Sequence, residues 1–449
     1  MKHLFSRLSP AQKIILSFLL VIFCGSLLLS LPWVQTESSQ AGYLDHLFTA
    51  VSMVCVTGLF TRSVVDTYNV WGQLLCMLLI QIGGLGILTF IGFFTMESRK
   101  KLSLKDRRIL RDSFNYGHNR TLGQFVRSIF ITTFTIEGLG ALLLMIRFIP
   151  KFGLRKGIFN SIFLAVSAFC NAGFDNFGND SLLGLQTDVL VNITLALLII
   201  TGGLGFMVWF DLATKLGGKQ KGLHFHTKVV LLLTAGLLVF GTVTSLWTEY
   251  NNPGTIGNLS FGDKLLVSFF QTVSMRTAGF ASIDYTAARP VTLFIYLLQM
   301  FLGGAPGGTA GGLKITTFLV LLLFARKEIL GLPHTNMGRR TLAPQLVQKA
   351  FGVTVIFQLT FLLGLLALGL VTDSSHRFIY LIFETVSALA TVGVTANITT
   401  SLNTAGMIVI MLLMFIGRVG PLTLMVSLNH YQPKKAATLH YSKADIMIG

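Results

Sequence analysis

Charge is what this sequence has least of. Asp, Glu, Lys and Arg make up 12% of its 449 residues and hydrophobic types 52%, whereas a soluble domain carries about 25% charge. The scarcity is segmental. No charged residue occurs between Lys13 and Glu37, Asp66 and Glu97, Asp188 and Asp211, Lys228 and Glu249, Arg289 and Lys314, or Lys349 and Asp373. Glu137 alone interrupts Ser128–Ile146, and Arg418 alone interrupts the stretch from Glu384 to Lys434, which is long enough for two membrane passes. Crossing hydrocarbon takes about 20 residues of helix, and backbone hydrogen bonding in lipid favours helices. A water-soluble domain is excluded. Cysteine is also sparse: Cys24, Cys55, Cys76 and Cys170 show no CxxC spacing, which excludes a disulfide framework or a zinc site. No HExxH, Ser/His or paired-Asp arrangement falls at membrane depth, so an enzyme is not expected.

Acid is scarcer than base, 18 against 35, and the placement of the excess decides its meaning. Clusters at Lys2/Arg7/Lys13, Arg99–Arg127, Lys215–Lys228, Arg326–Lys349 and Lys434/Lys435/Lys443 hold 24 of the 35 Lys and Arg. Each falls after an even number of expected spans. The positive-inside rule then puts all five, and both termini, in the cytoplasm of a multi-pass plasma-membrane protein. The charge is a topology signal, not a nucleic-acid site. Basic loops of this kind face the anionic lipid leaflet or dock an acidic partner. The N-terminal apolar segment is too long for a signal-peptide core and reads as a retained first span.

Glycine, in contrast, is plentiful and periodic. Four short segments end in glycine: Ser52–Gly58, Ser167–Gly173, Val273–Gly279 and Ser387–Gly393, with the glycines 115, 106 and 114 residues apart. Glycine landmarks follow at Gly83-Gly84, Gly202-Gly203, Gly303-Gly304 and Gly417, after 25, 29, 24 and 24 residues. Two landmarks in step, four times over, indicate an internal repeat. Each repeat reads as a full span, a short apolar segment, a glycine-bearing extended stretch and a second span. The short segments, near Leu44–Val56, Gly157–Cys170, Phe261–Met275 and Phe378–Ala390, are too short to cross. The expected fold is an all-α integral membrane protein with eight transmembrane helices and four re-entrant pore half-helices. Its four pseudo-repeats occupy residues 1–112, 113–222, 223–340 and 341–449 around one ion pore.

A half-helix ending before the glycine points its partially negative end at the centre. The stretch after it turns carbonyls inward to replace the hydration shell of a cation, and glycine supplies positive φ or close approach. The expected selectivity filter is Val56, Thr57 and Gly58; Asn171, Ala172 and Gly173; Thr277, Ala278 and Gly279; and Thr391, Val392 and Gly393. Its neutral lining argues for a monovalent cation. In the third repeat, Gly303, Gly304, Ala305, Pro306, Gly307, Gly308, Thr309, Ala310, Gly311 and Gly312 precede Lys314 where a helix is due. Helix propensity there is poor, so a broken span with a gating loop is expected. The spacing does not fit the phosphate-loop pattern GxxxxGK[ST]. Arg418, at membrane depth, reads as an electrostatic barrier or a tether for that loop. Arg276 is expected to point away from the axis and to pair with Glu384, while Glu137 is either a packing acid or a partner for Arg147. His224 and His226 are two apart in a basic loop, which is a weak metal pattern.

At Ser52–Leu59, Ser167–Phe174, Arg276–Phe280, Ser387–Val394, Gly303–Phe318 and Phe415–Thr423 the sequence resembles the Ktr/Trk/HKT superfamily of potassium transporters, above all the membrane subunit of bacterial Ktr systems. The resemblance covers nearly the whole chain. It implies potassium as substrate, no cofactor in this chain, and a homodimer with one pore per protomer. It also implies a cytoplasmic regulatory ring of the RCK type that binds the nucleotide. In that family a glycine at the position of Gly58 accompanies potassium selectivity and a serine accompanies sodium preference. By the same matching Gly303–Lys314 is the gating loop, Arg418 the arginine beneath the filter, and Ile446–Gly449 a tail contributing to dimer and regulator contacts. The alternative reading is a secondary symporter coupling potassium to sodium or protons.

Overall fold

The computed structural model describes residues 10–86, 122–178, 181–218, 220, 222–338, 340–372 and 377–420. The basic residues Lys2, Arg7, Arg99–Arg120, Lys434, Lys435 and Lys443, the tail Ile446–Gly449 and the stretch 421–423 lie outside the described residues. Helices α1 (Pro10–Leu29), α2 (Tyr43–Val54) and α3 (Val70–Leu85) come first, then α4 (Leu122–Phe152), α5 (Leu154–Phe169), α6 (Val189–Gly203) and α7 (Phe206–Leu216). They are followed by α8 (Phe225–Glu249), α9 (Phe261–Ser274), α10 (Pro290–Phe301) and α11 (Ile315–Ile329). A two-residue hairpin, Asn336–Met337 with Arg340–Thr341, leads to α12 (Pro344–Val371), α13 (Phe378–Leu389) and α14 (Thr404–Val419).

Four of these helices, α1, α4, α8 and α12, contain apolar windows of 18 to 28 residues, each long enough to cross a membrane. Only 22–39% of each window is buried inside the protein. Phe23, Phe134, Leu142, Val239 and Leu363 are exposed on them, an apolar surface that belongs in hydrocarbon. The chain is a multi-pass membrane protein.

One arrangement recurs four times. Each long helix packs on the short helix after it: α1 on α2, α4 on α5, α8 on α9, and α12 on α13. The next helix in sequence then packs against the short helix of the following unit: α3 on α5, α6 on α9, α10 on α13, and α14 back on α2. The last contact closes a ring. Polar caps start several of these third helices. Asn69 accepts from the backbone N–H of Trp71 and Gly72, Asp188 from Val191 and Asn403 from Gly406, while α10 opens on Pro290.

The third helices also end alike. α3, α6 and α14 run into Gly86, Gly205 and Gly420, with φ of 83°, 88° and 91°. After Gly205 the chain turns through 97° into α7. A second interruption, not expected from the sequence, thus joins the one between α10 and α11. α6 ends at Gly203, and Gly205, with its positive φ, caps the start of α7.

Candidate functional site

The four short helices converge on one point. Val54, Phe169, Ser274 and Leu389 end them, and within five residues the chain reaches Gly58, Gly173, Gly279 and Gly393 with φ of 105°, 70°, 84° and 97°. The contacts of these glycines run in a cycle. A Cβ added to Gly58 would lie 2.7 Å from the carbonyl oxygen of Ala172, and one on Gly173 2.7 Å from that of Ala278. One on Gly279 would lie 2.6 Å from the oxygen of Val392, and one on Gly393 2.0 Å from that of Thr57. Each glycine thus abuts the carbonyl that precedes the glycine of the next unit. The result is a closed ring of backbone with no room for a side chain.

Two residues before each glycine the backbone is left-handed: Val56, Asn171, Thr277 and Thr391 have φ of 55°, 58°, 66° and 52°. Three of the four are β-branched, for which this conformation is a genuine outlier, costing of order 1–3 kcal/mol each. Hydrogen bonds hold the turn. The N–H groups of Thr57, Ala172 and Val392 donate to the carbonyls of Ser52, Ser167 and Ser387, each at 2.8 Å, and Ala278 donates to Ser274 at 2.9 Å. The serine hydroxyls grip the next stretch. Ser52 and Ser387 accept from the N–H of Gly58 and Gly393, Ser167 accepts from Phe174, and Ser274 donates to the carbonyl of Phe280. The serines at the ends of the short helices are clamps.

The second glycine landmark explains its own spacing. A Cβ on Gly83, Gly202 or Gly417 would lie 2.3, 1.9 or 2.0 Å from the carbonyl oxygen of Val54, Phe169 or Leu389. Each oxygen belongs to the residue four before the ring glycine of the same unit. In the third unit the corresponding Gly303 meets the carbonyl of Gly311 instead, so the loop after α10 folds back on itself there.

That loop lies against the ring. Its backbone pairs with the end of α6: Ala305 and Thr309 donate to the carbonyls of Gly203 and Gly202 at 2.9 and 3.2 Å, and Phe206 donates to Gly307 at 3.0 Å. Thr309 Oγ1 donates to Phe169 O at 3.1 Å and lies 3.2 Å from the Asn171 amide. The N–H of Gly311 donates to Thr277 Oγ1 at 3.1 Å, and a Cβ on Gly311 would strike Thr391 Oγ1 at 1.9 Å. Lys314 Nζ donates to the carbonyls of Ala310 and Gly311 within the loop. Arg418 completes the circuit, donating to Thr309 O and to the carbonyls of Gly83 and Gly84. The loop therefore touches the second, third and fourth units directly and the first through Arg418.

One pairing expected from the sequence is corrected, and the two roles left open for Glu137 are narrowed to one. Arg276 does not meet Glu384; its guanidinium reaches Thr234 on α8 at 3.4 Å. Glu384 instead accepts from the hydroxyls of Thr395 and Thr399, which fix the chain just beyond Gly393. Arg147 pairs with Asp188, the cap of α6, and Glu137 accepts from Gln81 at 3.1 and 3.3 Å beside Cys170. His224 contacts Asp211 through Nδ1 and through its own N–H. The left-handed residues and the caps Asn69, Asp188 and Asn403 went unread in the sequence; an Asn or Asp 10 to 15 residues after each of three ring glycines was the signal available.

Residues 7–438 match the family model described as TrkH, a cation transport protein. The chain is 38% identical over 446 residues to "Ktr system potassium uptake protein B" of Bacillus subtilis, covering 99% of this chain and 97% of that one. It is 39% identical over 453 residues to "Potassium/sodium uptake protein NtpJ" of Enterococcus hirae, covering 100% and 99%. The crystal structure of the potassium transporter TrkH from Vibrio parahaemolyticus superposes with a TM-score of 0.72 at 17% identity, covering 93% of this chain and 84% of that one, and shares its fold. The chain belongs to the TrkH family of cation transport proteins.

Proposed function

We propose that the chain carries potassium across the plasma membrane through the ring of backbone at Gly58, Gly173, Gly279 and Gly393. The observation that carries this reading is the closed cycle in which each ring glycine abuts the next unit's carbonyl. The cycle puts the oxygens of Thr57, Ala172, Ala278 and Val392 around one axis, with the partially negative ends of four short helices behind them. Carbonyl oxygens replace the hydration of a monovalent cation without the carboxylates that a divalent ion calls for. The buried hydroxyls of Thr57 and Thr391 have no hydrogen-bond partner among the described residues, which leaves them available to the same ion. The filter residues are Val56–Gly58, Asn171–Gly173, Thr277–Gly279 and Thr391–Gly393, one set from each of four repeats. The names of the two relatives, both uptake proteins for potassium, support the substrate.

The loop Gly303–Lys314 is the gate in this reading, and Arg418 its latch. The gate opens by releasing Thr309 O from Arg418 and Gly311 from Thr277. A homodimer and a cytoplasmic nucleotide-binding partner of the RCK type complete the assembly; the first relative's name as lettered protein B of a system supports a partner. Both termini are cytoplasmic by the distribution of Lys and Arg.

The sharp bend between α6 and α7, taken as a broken span, favours one other reading, a symporter. Transporters with alternating access use discontinuous helices in related parts of the chain, and α6/α7 and α10/α11 meet that description; the name of the Enterococcus relative includes sodium. Uptake of potassium, rubidium, sodium and lithium into liposomes holding the purified chain separates the two. Potassium and rubidium flux above sodium, driven by the potassium gradient alone, is the expected result. Flux that vanishes without a sodium or proton gradient refutes the pore and establishes the symporter.

A further inference from the structure

Outside the ring, a pocket of about 470 Å³ lies between α11 and α12, within the range of roughly 300–1,000 Å³ typical of small-molecule sites. Phe324, Leu342, Val347 and Phe351 give it apolar walls, and Lys327, His334 and Gln348 add polar groups. The hairpin Asn336–Thr341 holds one side, with the Leu342 N–H donating to Thr335 O at 2.9 Å. From Arg326 to Lys349 the chain carries five Lys and Arg and one acid, Glu328. That acid pairs with Lys327 at 2.7 Å on the surface, an interaction worth little.

The pocket also adjoins an exposed apolar face. Phe351, on its wall, begins a line of exposed side chains on α12 that continues through Val355, Leu359, Leu362, Leu366 and Leu370. Spacings of four and three residues put them on one face. At 1.5 Å per residue the line runs about 28 Å, close to the roughly 30 Å thickness of the bilayer core. A pocket with one lysine among polar side chains, set in a segment rich in Lys and Arg at one end of an apolar stripe, has the polarity of an amphiphile.

We propose that this pocket is a binding site for an acidic phospholipid, with the headgroup among Lys327, His334 and Gln348 and an acyl chain along the stripe. Charge complementarity selects the lipid class, since juxtamembrane Lys and Arg draw anionic headgroups. The site adjoins the helix that begins directly after Lys314. α11 meets α12 there through a small separate cluster, Val320, Val347 and Ala350, so an occupant bears on the helix that follows the loop.

The test is native mass spectrometry of the full-length protein in detergent, titrated with phosphatidylglycerol, phosphatidylcholine or glycerol phosphate. Phosphatidylglycerol is expected to be retained about tenfold more tightly than phosphatidylcholine. Gln348→Glu, a near-isosteric change at an exposed position, is expected to cut phosphatidylglycerol retention several-fold and leave phosphatidylcholine unchanged. Val347→Trp, which fills the pocket, is expected to lower both. Equal retention of the two lipids in parent and Gln348→Glu overturns the proposal. Displacement by glycerol phosphate at matching concentration identifies a soluble-anion site and overturns it too. Retention lost in the dimer and regained in the monomer means that a second copy covers the stripe, an outcome that likewise refutes the lipid site. Because the readout is mass and not flux, failure here leaves the potassium reading standing, and failure of that reading leaves this one standing.

Discussion

Replacing Gly58 with serine tests the ring most directly. The new Cβ would lie 2.7 Å from Ala172 O, 3.2 Å from Gly173 Cα and 3.3 Å from Gly393 Cα. All three neighbours are backbone, so no side chain can rotate away. Ordinary contact starts at 3.4 Å, and the deficit against Ala172 O is therefore roughly 0.7 Å, which only displacement of the main chain relieves. A φ of 105° at a residue with a Cβ adds strain of order 1–3 kcal/mol. The corner of the ring shared by the first and second units must open, and carbonyls that have moved apart discriminate less between ions of different radius. Loss of about 1.4 kcal/mol in differential binding is a tenfold loss of selectivity. Potassium-to-sodium flux ratios in liposomes are expected to fall by about that factor or more. Gly138→Ala, whose Cβ meets nothing within 4 Å, serves as the control and should match the parent. A Gly58→Ser protein that is folded and as selective as the parent would refute the assignment of the ring as filter.

Arg418→Gln removes charge-assisted hydrogen bonds to Thr309, Gly83 and Gly84, each of a kind worth about 1.5–3 kcal/mol. Potassium flux should rise at least roughly tenfold, and a variant as tightly closed as the parent would exclude the latch. Shortening Gly303–Gly312 should likewise raise flux and loosen dependence on a regulator, measured as uptake with and without the partner protein. Gly202→Ala and Gly417→Ala place a Cβ 1.9 and 2.0 Å from carbonyl oxygens. Each should cost about 3 kcal/mol of stability, visible as a lowered melting temperature in detergent that Gly138→Ala does not show. Ser387→Ala strips the Gly393 N–H of its acceptor at a cost of about 1–3 kcal/mol, and should lower selectivity without changing the oligomeric state.

What the sequence disclosed was governed by how many residues carry the signal. Charge-free runs twenty residues long and glycines recurring in step are collective features, and both survive divergence between the repeats. The second landmark was legible as a pattern but not as a cause, because nothing local to Gly83, Gly202 or Gly417 names the carbonyl it must clear. The left-handed backbone at Val56, Thr277 and Thr391 was hidden for the opposite reason: local preference points β-branched residues away from it, and the serine clamps override that preference from the preceding helix. The pairing of Arg276 with Glu384 failed on the same ground. Glu384 had hydroxyl donors at Thr395 and Thr399 within its own unit, closer in the chain than Arg276 and cheaper to reach. The bend at Gly205 had no collective signature, because a single glycine with positive φ suffices to turn the chain between α6 and α7.

The position of the loop follows from the same geometry. In the first, second and fourth units the landmark glycine is spent on the carbonyl at the end of the short helix, which locks the third helix to the ring. In the third unit Gly303 meets Gly311, and that lock is absent. The chain between them is then free to take its hydrogen bonds elsewhere: from Gly202 and Gly203 at the end of α6, from Phe169 and its own unit's Thr277 at the ring, and through Thr309 from Arg418. None of these partners belongs to a helix interior, where a lost bond would propagate, since each is a helix end or a side chain. The loop is accordingly a segment beside the ring whose displacement leaves the four short helices and their serine clamps in place. In the proposed function, such a gate changes access to the ring without changing the ring. Arg418→Gln should therefore alter flux and spare the potassium-to-sodium ratio, whereas Gly58→Ser should alter the ratio. Both substitutions moving both quantities together would mean that loop and ring are a single mechanical unit, and the separation argued here would be wrong.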